Sequence, residues 1–168
     1  MIELLNNRMM ERHTVRAKDI ENDWCVGYLI PIVTPLNQQL YHIGNRYGTF
    51  EINTETICRN TGFFEYLRRD GDSSRFGEQI YENDIIELTF RSGNKEQYLI
   101  WYCREMNSTI FIHNEEVYFN GTDYYAMKPH IGWDQFAFIM QDPYGELSEV
   151  KVIGNIIDNP QLINQGSY

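Results

Sequence analysis

The chain has 168 residues, of which 42% are hydrophobic and 14% aromatic, and it carries a formal net charge of −10 at pH 7. This length predicts one domain or two closely associated parts, and the aromatic content favours β-structure. The acidic balance argues against a general nucleic-acid binder, which needs a basic face, and a mean hydropathy of −0.49 without a long apolar run argues against a transmembrane helix.

The cysteines predict the redox compartment. Cys25, Cys58 and Cys103 are odd in number and far apart, with no C-x-x-C pair. The first residues, "MIELLNNRMMERH", lack the pattern of a signal peptide. We therefore expect three buried, reduced thiols in a cytoplasmic protein.

The N-terminal part begins with weak helical spacing in residues 1–11, which predicts at most a short helix or arm. "HTVRAK" alternates and indicates a strand, and "WCVGYLIPIV" indicates a second one. The polar pair Asn22-Asp23 between them tolerates left-handed backbone, so the two strands predict a hairpin. Pro31 and Pro35 are expected to end the second strand or to confine it to a sheet edge.

The remaining chain predicts many short strands. "TETICRNTG" is expected to end at residues 60–62, and "EQIYENDIIELTFR" reads as a hairpin-like pair. Further strands are predicted in "QYLIWYCRE", "TIFIHN", "EVYFN", "DQFAFIMQD" and "EVKVIGNII". Turns at such short intervals favour a small barrel or sandwich. In "IIDNPQLINQ", Asn159 is expected to cap a helix whose first turn contains Pro160.

The segment "GEQIYENDIIEL", residues 77–88, contains four carboxylates: Glu78, Glu82, Asp84 and Glu87. We interpret it as a structural corner, because strand alternation separates these side chains and Asn83-Asp84 falls at a tight reversal. The Asp84 carboxylate is expected to accept backbone N–H groups of its own turn. The alternative is a metal-dependent enzyme that uses Glu82, Asp84 and Asp158.

Other sites are poorly supported. "DGDSSRFGEQIYE" has Arg75 and Tyr81 where a calcium-binding loop needs glycine and glutamate. Phosphate-binding loops, paired metal-ligating histidines and a nucleophilic serine motif are missing from the sequence. We therefore expect no catalytic residue and no cofactor.

Two surface features remain as candidate contacts. Arg68, Arg69 and Arg75 could form a local basic patch for nucleic acid. An aromatic stripe is interpreted as core and subunit interface, because its neighbours are acidic; it comprises Tyr98, Trp101, Tyr102, Phe111, Tyr118, Phe119, Tyr124 and Tyr125.

Four segments in order resemble the YopX family of phage and prophage proteins. "VRAKDIENDWCVGYLI" resembles its N-terminal hairpin, and "ETICRNTG" resembles its next strand. "GEQIYENDII" is similar to its central signature, and "VIGNIIDNPQLI" to its closing signature. The turn residues of the last two signatures are Asn83, Asp84, Gly154, Asn155, Asn159 and Pro160.

The chain departs from the family pattern in three places. Asn83 replaces the usual glycine, which suggests a positive φ that asparagine tolerates best among other residues. Residues 63–76 contain an insertion, and residues 1–9 form an extension.

The resemblance implies a mainly β or α+β fold, in which an N-terminal α+β part, residues 1–50, packs on a C-terminal SH3-type β-barrel, residues 51–168. It carries over no catalytic residues. We expect a non-enzymatic accessory protein in the cytoplasm of a bacterial host, without membrane attachment. It would act as a homo-oligomer or by binding a host or phage protein, and the alternative is a nucleic-acid-linked regulator.

The extension leads to the hypothesis that Met10 is an alternative start. Intact-mass measurement of protein expressed from its native gene should then show a species that begins at Met10. Detection of the full-length species alone would rule the hypothesis out.

Overall fold

A computed structural model of the chain describes residues 14–35, 39–67, 75–103, 108–114, 117–119, 124–126, 131–142 and 144–163. These residues form thirteen β-strands and one α-helix, which confirms the prediction of a β-rich fold. The chain divides into two compact units, Met1–Phe63 and Phe64–Tyr168. None of the helices in the described ranges is long and apolar enough to cross a membrane.

The first unit is an antiparallel sheet with the strand order β5–β1–β2–β3–β4. Its strands are β1 (Val15–Lys18), β2 (Trp24–Val33), β3 (Gln39–Asn45), β4 (Gly48–Glu51) and β5 (Cys58–Leu67), with a 3-10 turn at Thr54–Thr56. The predicted hairpin is confirmed, since β1 pairs with β2 in the register Val15 to Gly27. A helix or arm in residues 1–11 lies outside the described residues.

The turn between β1 and β2 follows from its polar side chains. Asn22 has a φ of 73°, the left-handed conformation expected for it. The Asp19 carboxylate accepts the backbone N–H groups of Glu21 at 2.9 Å and of Asp23 at 3.0 Å. Local hydrogen bonds therefore close the reversal, and a β-bridge from Asp19 to the core residue Ile52 anchors it.

The core of the first unit lies on one face of this sheet. Strand alternation places Val15 and Ala17 on that face, where they pack with Ile43 and Ile52. Ala17 and Ile43 are completely buried. The opposite face of β2 and β3 is therefore the outer face.

Strand β5 continues past the point where the sequence predicted its end. Asn60 Oδ1 does accept Gly62 N–H at 2.7 Å, as in a turn, and Gly62 has a φ of 82°. The strand nevertheless runs on to Leu67. Its first residues pair with β1, and Tyr66 and Leu67 pair with β13 (Leu147–Asn155).

The second unit contains a sheet with the order β12–β9–β8–β7–β13–β5, and β6 pairs with β5. Its strands are β6 (Arg75–Tyr81), β7 (Asp84–Phe90), β8 (Lys95–Cys103), β9 (Ser108–His113), β10 (Val117–Phe119), β11 (Tyr124–Ala126), β12 (Ile131–Gly132) and β13, with helix α1 (Trp133–Gln141) and a 3-10 turn at Pro160–Leu162. Strands β10 and β11 pair separately. The pairings among the described residues form an open strand order rather than a closed ring.

Two sequence-based assignments in this unit are wrong. The segments of "EQIYENDIIELTFR" do not form a hairpin, because β6 pairs with β5 while β7 lies between β13 and β8. "DQFAFIMQD" is helix α1 rather than a strand. Its short apolar run fits either structure. Asp142 follows the helix with a φ of 47°, and its carboxylate accepts Leu147 N–H at 3.0 Å.

Both faces of the β7–β8–β9 sheet are covered. On one face Ile85, Leu99 and Ile112 align across the strands and pack with Ile163. On the other face the Phe111 ring stacks on Phe136 of α1, with a centroid distance of 3.7 Å. The interpretation of Tyr98 and Phe111 as core residues is confirmed by their burial. The side chains of β10 and β11 lie outside the described set.

Replacement of Phe136 by alanine should lower the free energy of unfolding by about 3–5 kcal/mol, since the buried ring leaves a cavity against Phe111. Phe138→Ala, two positions along the same helix, is the matched control. Phe138 is 52% exposed, so its loss should cost no more than about 0.5 kcal/mol. Urea unfolding monitored by circular dichroism distinguishes the two, and equal losses would contradict the packing of α1.

Candidate functional site

The corner between β6 and β7 is fixed by the backbone of Asn83. Asn83 has a φ of 68°, the conformation expected where the YopX-like signature has glycine. Its N–H donates to Ile100 O at 2.7 Å, and its carbonyl accepts Ile156 N–H at 2.9 Å. The turn therefore joins β8 to the segment after β13.

The two carboxylates beside Asn83 are buried and have protein partners. Asp84 is completely buried, and its Oδ2 accepts Tyr81 N–H at 2.8 Å, which confirms the expected bond within its own turn. Glu82 is 4% exposed, and its Oε1 accepts the hydroxyl of Thr109 at 3.0 Å. Strand alternation did not predict that both side chains would be buried.

A further carboxylate of this segment, Glu87, lies nearer the strand surface. Glu87 accepts hydrogen bonds from Lys95 Nζ at 2.5 Å and from Gln97 Nε2 at 3.1 Å. The Lys95 hydrogen bond is the main cause that lowers the pKa of Glu87, and it raises the pKa of Lys95 in return. This is an exposed cross-strand ion pair, a type that contributes little to stability.

The structure does not bring Glu82, Asp84 and Asp158 together as metal ligands. Asp158 is exposed, and its Oδ2 lies 3.5 Å from Asn155 Nδ2. Within the described ranges, no group of three or more His, Cys, Asp or Glu side chains is placed to hold a metal ion. The acidic segment is a structural corner.

The closing signature folds against the same corner. Asn155 pairs with Asp84, and its Oδ1 accepts the N–H groups of Ile157 at 3.0 Å and of Asp158 at 2.9 Å. A Cβ atom on Gly154 would lie 2.6 Å from Leu162 Cδ1, so only glycine fits there without a shift. Two signatures about 70 residues apart in sequence thus form one element of structure.

The prediction for Asn159 is confirmed in position only. Asn159 is the N-cap residue of the following turn, but its side chain makes no capping bond; Asn159 Oδ1 instead accepts Asn155 N–H at 3.3 Å, back along the chain. Pro160 does begin a helical turn, but this turn is a single 3-10 turn over Pro160–Leu162. Asn159 therefore closes the turn after β13.

The basic patch lies mostly outside the described residues. Arg68 and Arg69 are not among them, and Arg75 is described only as the first residue of β6. The segment that contains them belongs to the acidic part of the chain. Residues 64–168 carry eight Lys and Arg against seventeen Asp and Glu, whereas residues 1–63 carry six against seven.

The cysteines are free thiols, as expected. The expected burial is confirmed for Cys58 and wrong for Cys25 and Cys103, which are half-buried. Burial, followed by the charge of Asp19, raises the pKa of the Cys25 thiol, so this group is less reactive than an exposed thiol.

Strand β2 carries the feature that sequence reasoning missed. Beyond Gly27 its pairing partner within the described residues is β3 alone, since the pairs with β1 end at Gly27. Residues 26–33, called the apolar ribbon below, hold six large apolar side chains with exposed fractions from 36% to 66%. They are Val26, Tyr28, Leu29, Ile30, Ile32 and Val33.

Pro31 lies at the open edge of the ribbon. The strand continues through Pro31 and ends at Val33, two residues before Pro35, so of the two expected alternatives the edge position is the one observed for Pro31 among the described residues. Val26 O accepts Asn45 Nδ2 from β3, and backbone groups alternate in direction along a strand. The nitrogen of Pro31 therefore faces away from β3, where no ladder hydrogen bond is lost.

Two basic residues of β1 lie at the N-terminal end of the ribbon. Arg16 pairs with Val26 and Lys18 with Trp24, so both basic residues share the outer face with them. The Arg16 guanidinium lies 4.6 Å from the centroid of the Trp24 ring, and Lys18 Nζ lies 5.5 Å from it. Residues 24–45 contain no Asp, Glu, Lys or Arg. This uncharged run was the sequence signal that could have indicated the surface.

Comparison with family models, with curated proteins and with solved structures finds no match for this chain. The candidate site is therefore identified by its geometry alone.

Substitution of Asp84 tests the structural corner. Asp84→Asn should have a mild effect, because the amide oxygen still accepts Tyr81 N–H. Asp84→Leu should lower the free energy of unfolding by about 1–3 kcal/mol, since it leaves a buried donor without this acceptor. Thermal melts of the two variants provide the comparison, and equal, negligible effects would refute the structural corner.

Proposed function

We propose that this chain is a non-enzymatic binding protein that acts through protein–protein contacts, with the apolar ribbon as its contact surface. The observation that carries the proposal is the exposure of six large apolar side chains within eight consecutive residues. Contiguous exposed apolar patches mark contact sites in soluble proteins, whereas single exposed apolar residues are ordinary.

The carboxylates of residues 77–88 support the non-enzymatic part of the proposal. Asp84 bonds to its own turn, Glu82 to Thr109, and Glu87 to Lys95. These contacts give three of the four carboxylates of the segment a structural role, which requires no reaction to explain it.

The proposal includes membership of the YopX-like phage and prophage proteins, with an SH3-type β-barrel in residues 51–168 and a role in the bacterial cytoplasm. Its support is the order of the four signature segments and the left-handed conformation of Asn83, where the family has glycine. The close approach of Leu162 to Gly154 supports the closing signature in the same way.

A photo-crosslinking amino acid tests the contact surface in cells. Benzoylphenylalanine in place of Tyr28, which is 44% exposed on the ribbon, should form covalent protein adducts on irradiation. The matched control is the same replacement at Tyr47, which is 74% exposed in the turn between β3 and β4 of the same unit.

Protein adducts at position 28 and none at position 47 are the expected result. Absence of adducts at position 28, or equal adducts at both positions, would contradict the proposal. A nucleic-acid adduct at position 28 would also contradict it and would favour the alternative, a nucleic-acid-linked regulator.

A further inference from the structure

The outer face of the apolar ribbon presents a regular stripe. Alternate residues of a strand share a face, so Val26, Tyr28, Ile30 and Ile32 point to one side. Leu29 pairs with the buried core residue Ile43, which identifies the other side as the inner face. The four residues of the stripe are between 37% and 44% exposed.

We infer that the partner of this stripe is a second copy of the chain, which packs its own stripe face to face across a two-fold axis. The inference rests on the proposed contact surface and names its occupant. A two-fold interface uses the same patch on both copies, so a continuous apolar stripe is complementary to itself.

The charge distribution favours a second copy over a basic partner. Residues 24–45 carry no charged side chain, and Arg16 and Lys18, which share the outer face at the Val26 end, are basic, so a basic partner meets no opposite charge there. Two copies of a chain with a net charge of −10 repel each other. They repel least through the first unit, since Met1–Phe63 carries a net charge of −1 and Phe64–Tyr168 carries −9.

The basic residues fix the relative direction of the two stripes. Arg16 and Lys18 lie at the Val26 end of the stripe, and the Ile32 end carries no charged residue of β2 or β3. In an antiparallel arrangement, the Arg16–Lys18 groups of the two copies lie at opposite ends, about 20 Å apart for six residues of strand. A parallel arrangement would place these like charges together.

Pro31 selects packing of faces over pairing of edges. A strand added to the open edge would meet backbone N–H groups of Leu29 and Val33 but none at Pro31, which lies between them. Proline at an edge is a common means of preventing such pairing. The outer face carries no such obstacle.

Analytical ultracentrifugation of the purified full-length protein tests the inference. The wild type should sediment as a dimer of 20.0 kDa chains and should not dissociate as salt is raised, because the contact is apolar. Ile30→Lys and Ile32→Lys should each weaken the dimer by about tenfold or more in Kd. Ile20→Lys is the matched control, since Ile20 is 75% exposed in the turn between β1 and β2 and should leave the Kd unchanged.

Two separate lysine variants are used so that the test does not depend on the folding of one of them. Circular dichroism identifies any variant that fails to fold. A dimer that both folded variants retain would overturn the inference. A monomeric wild type that forms Tyr28-site adducts with a different protein in cells would overturn it too, while the proposed contact surface would stand. A monomeric wild type without such adducts would overturn both.

Discussion

The second unit depends on two backbone hydrogen bonds at Asn83. One joins Asn83 N–H to Ile100 of β8, and the other joins its carbonyl to Ile156 after β13. Strand β7 leaves this point between the same two partners, with Ile85 opposite Leu99 and Gly154. A shift of one residue here would exchange the faces of Ile85 and Ile86, both completely buried, so the corner sets the register of the sheet.

Features that local chemistry determines could be predicted from the sequence. Asn22 and Asn83 adopt the left-handed conformations expected of them, and the Asp84 carboxylate binds its own turn. Side chains and backbone within three or four residues decide these features, so a short window of sequence contains the necessary information.

Features that depend on distant contacts could not be predicted. The Glu65 carboxylate accepts the backbone N–H groups of Glu78 in β6 and Val152 in β13, and nothing near Glu65 in sequence indicates either partner. The same limit explains the error over Asn159, whose side chain bonds back to Asn155. The short apolar run of α1 fits a strand or a helix, and its Phe136 packs on Phe111, a distant partner that the local sequence does not indicate.

A tripeptide that occurs twice in the chain shows why the sequence did not predict the exposure of the candidate site. Tyr-Leu-Ile occurs in β8 as residues 98–100, at most 5% exposed, and in β2 as residues 28–30, at least 36% exposed. In β8 it has β7 and β9 on its sides and packed layers on both faces, whereas in β2 only β3 accompanies it in the described structure.

The residues that flank the two copies of the tripeptide differ in charge, and this difference is visible in the sequence. Lys95 and Glu96 precede the tripeptide in β8, and Arg104 and Glu105 follow it, whereas the copy in β2 lies in the uncharged residues 24–45. Charges beside an apolar strand limit unwanted association while the chain folds. Pro31 is the corresponding barrier in β2, and it blocks only the edge. Pro31 therefore interrupts backbone pairing at this edge of β2, and the apolar side chains of the strand stay exposed.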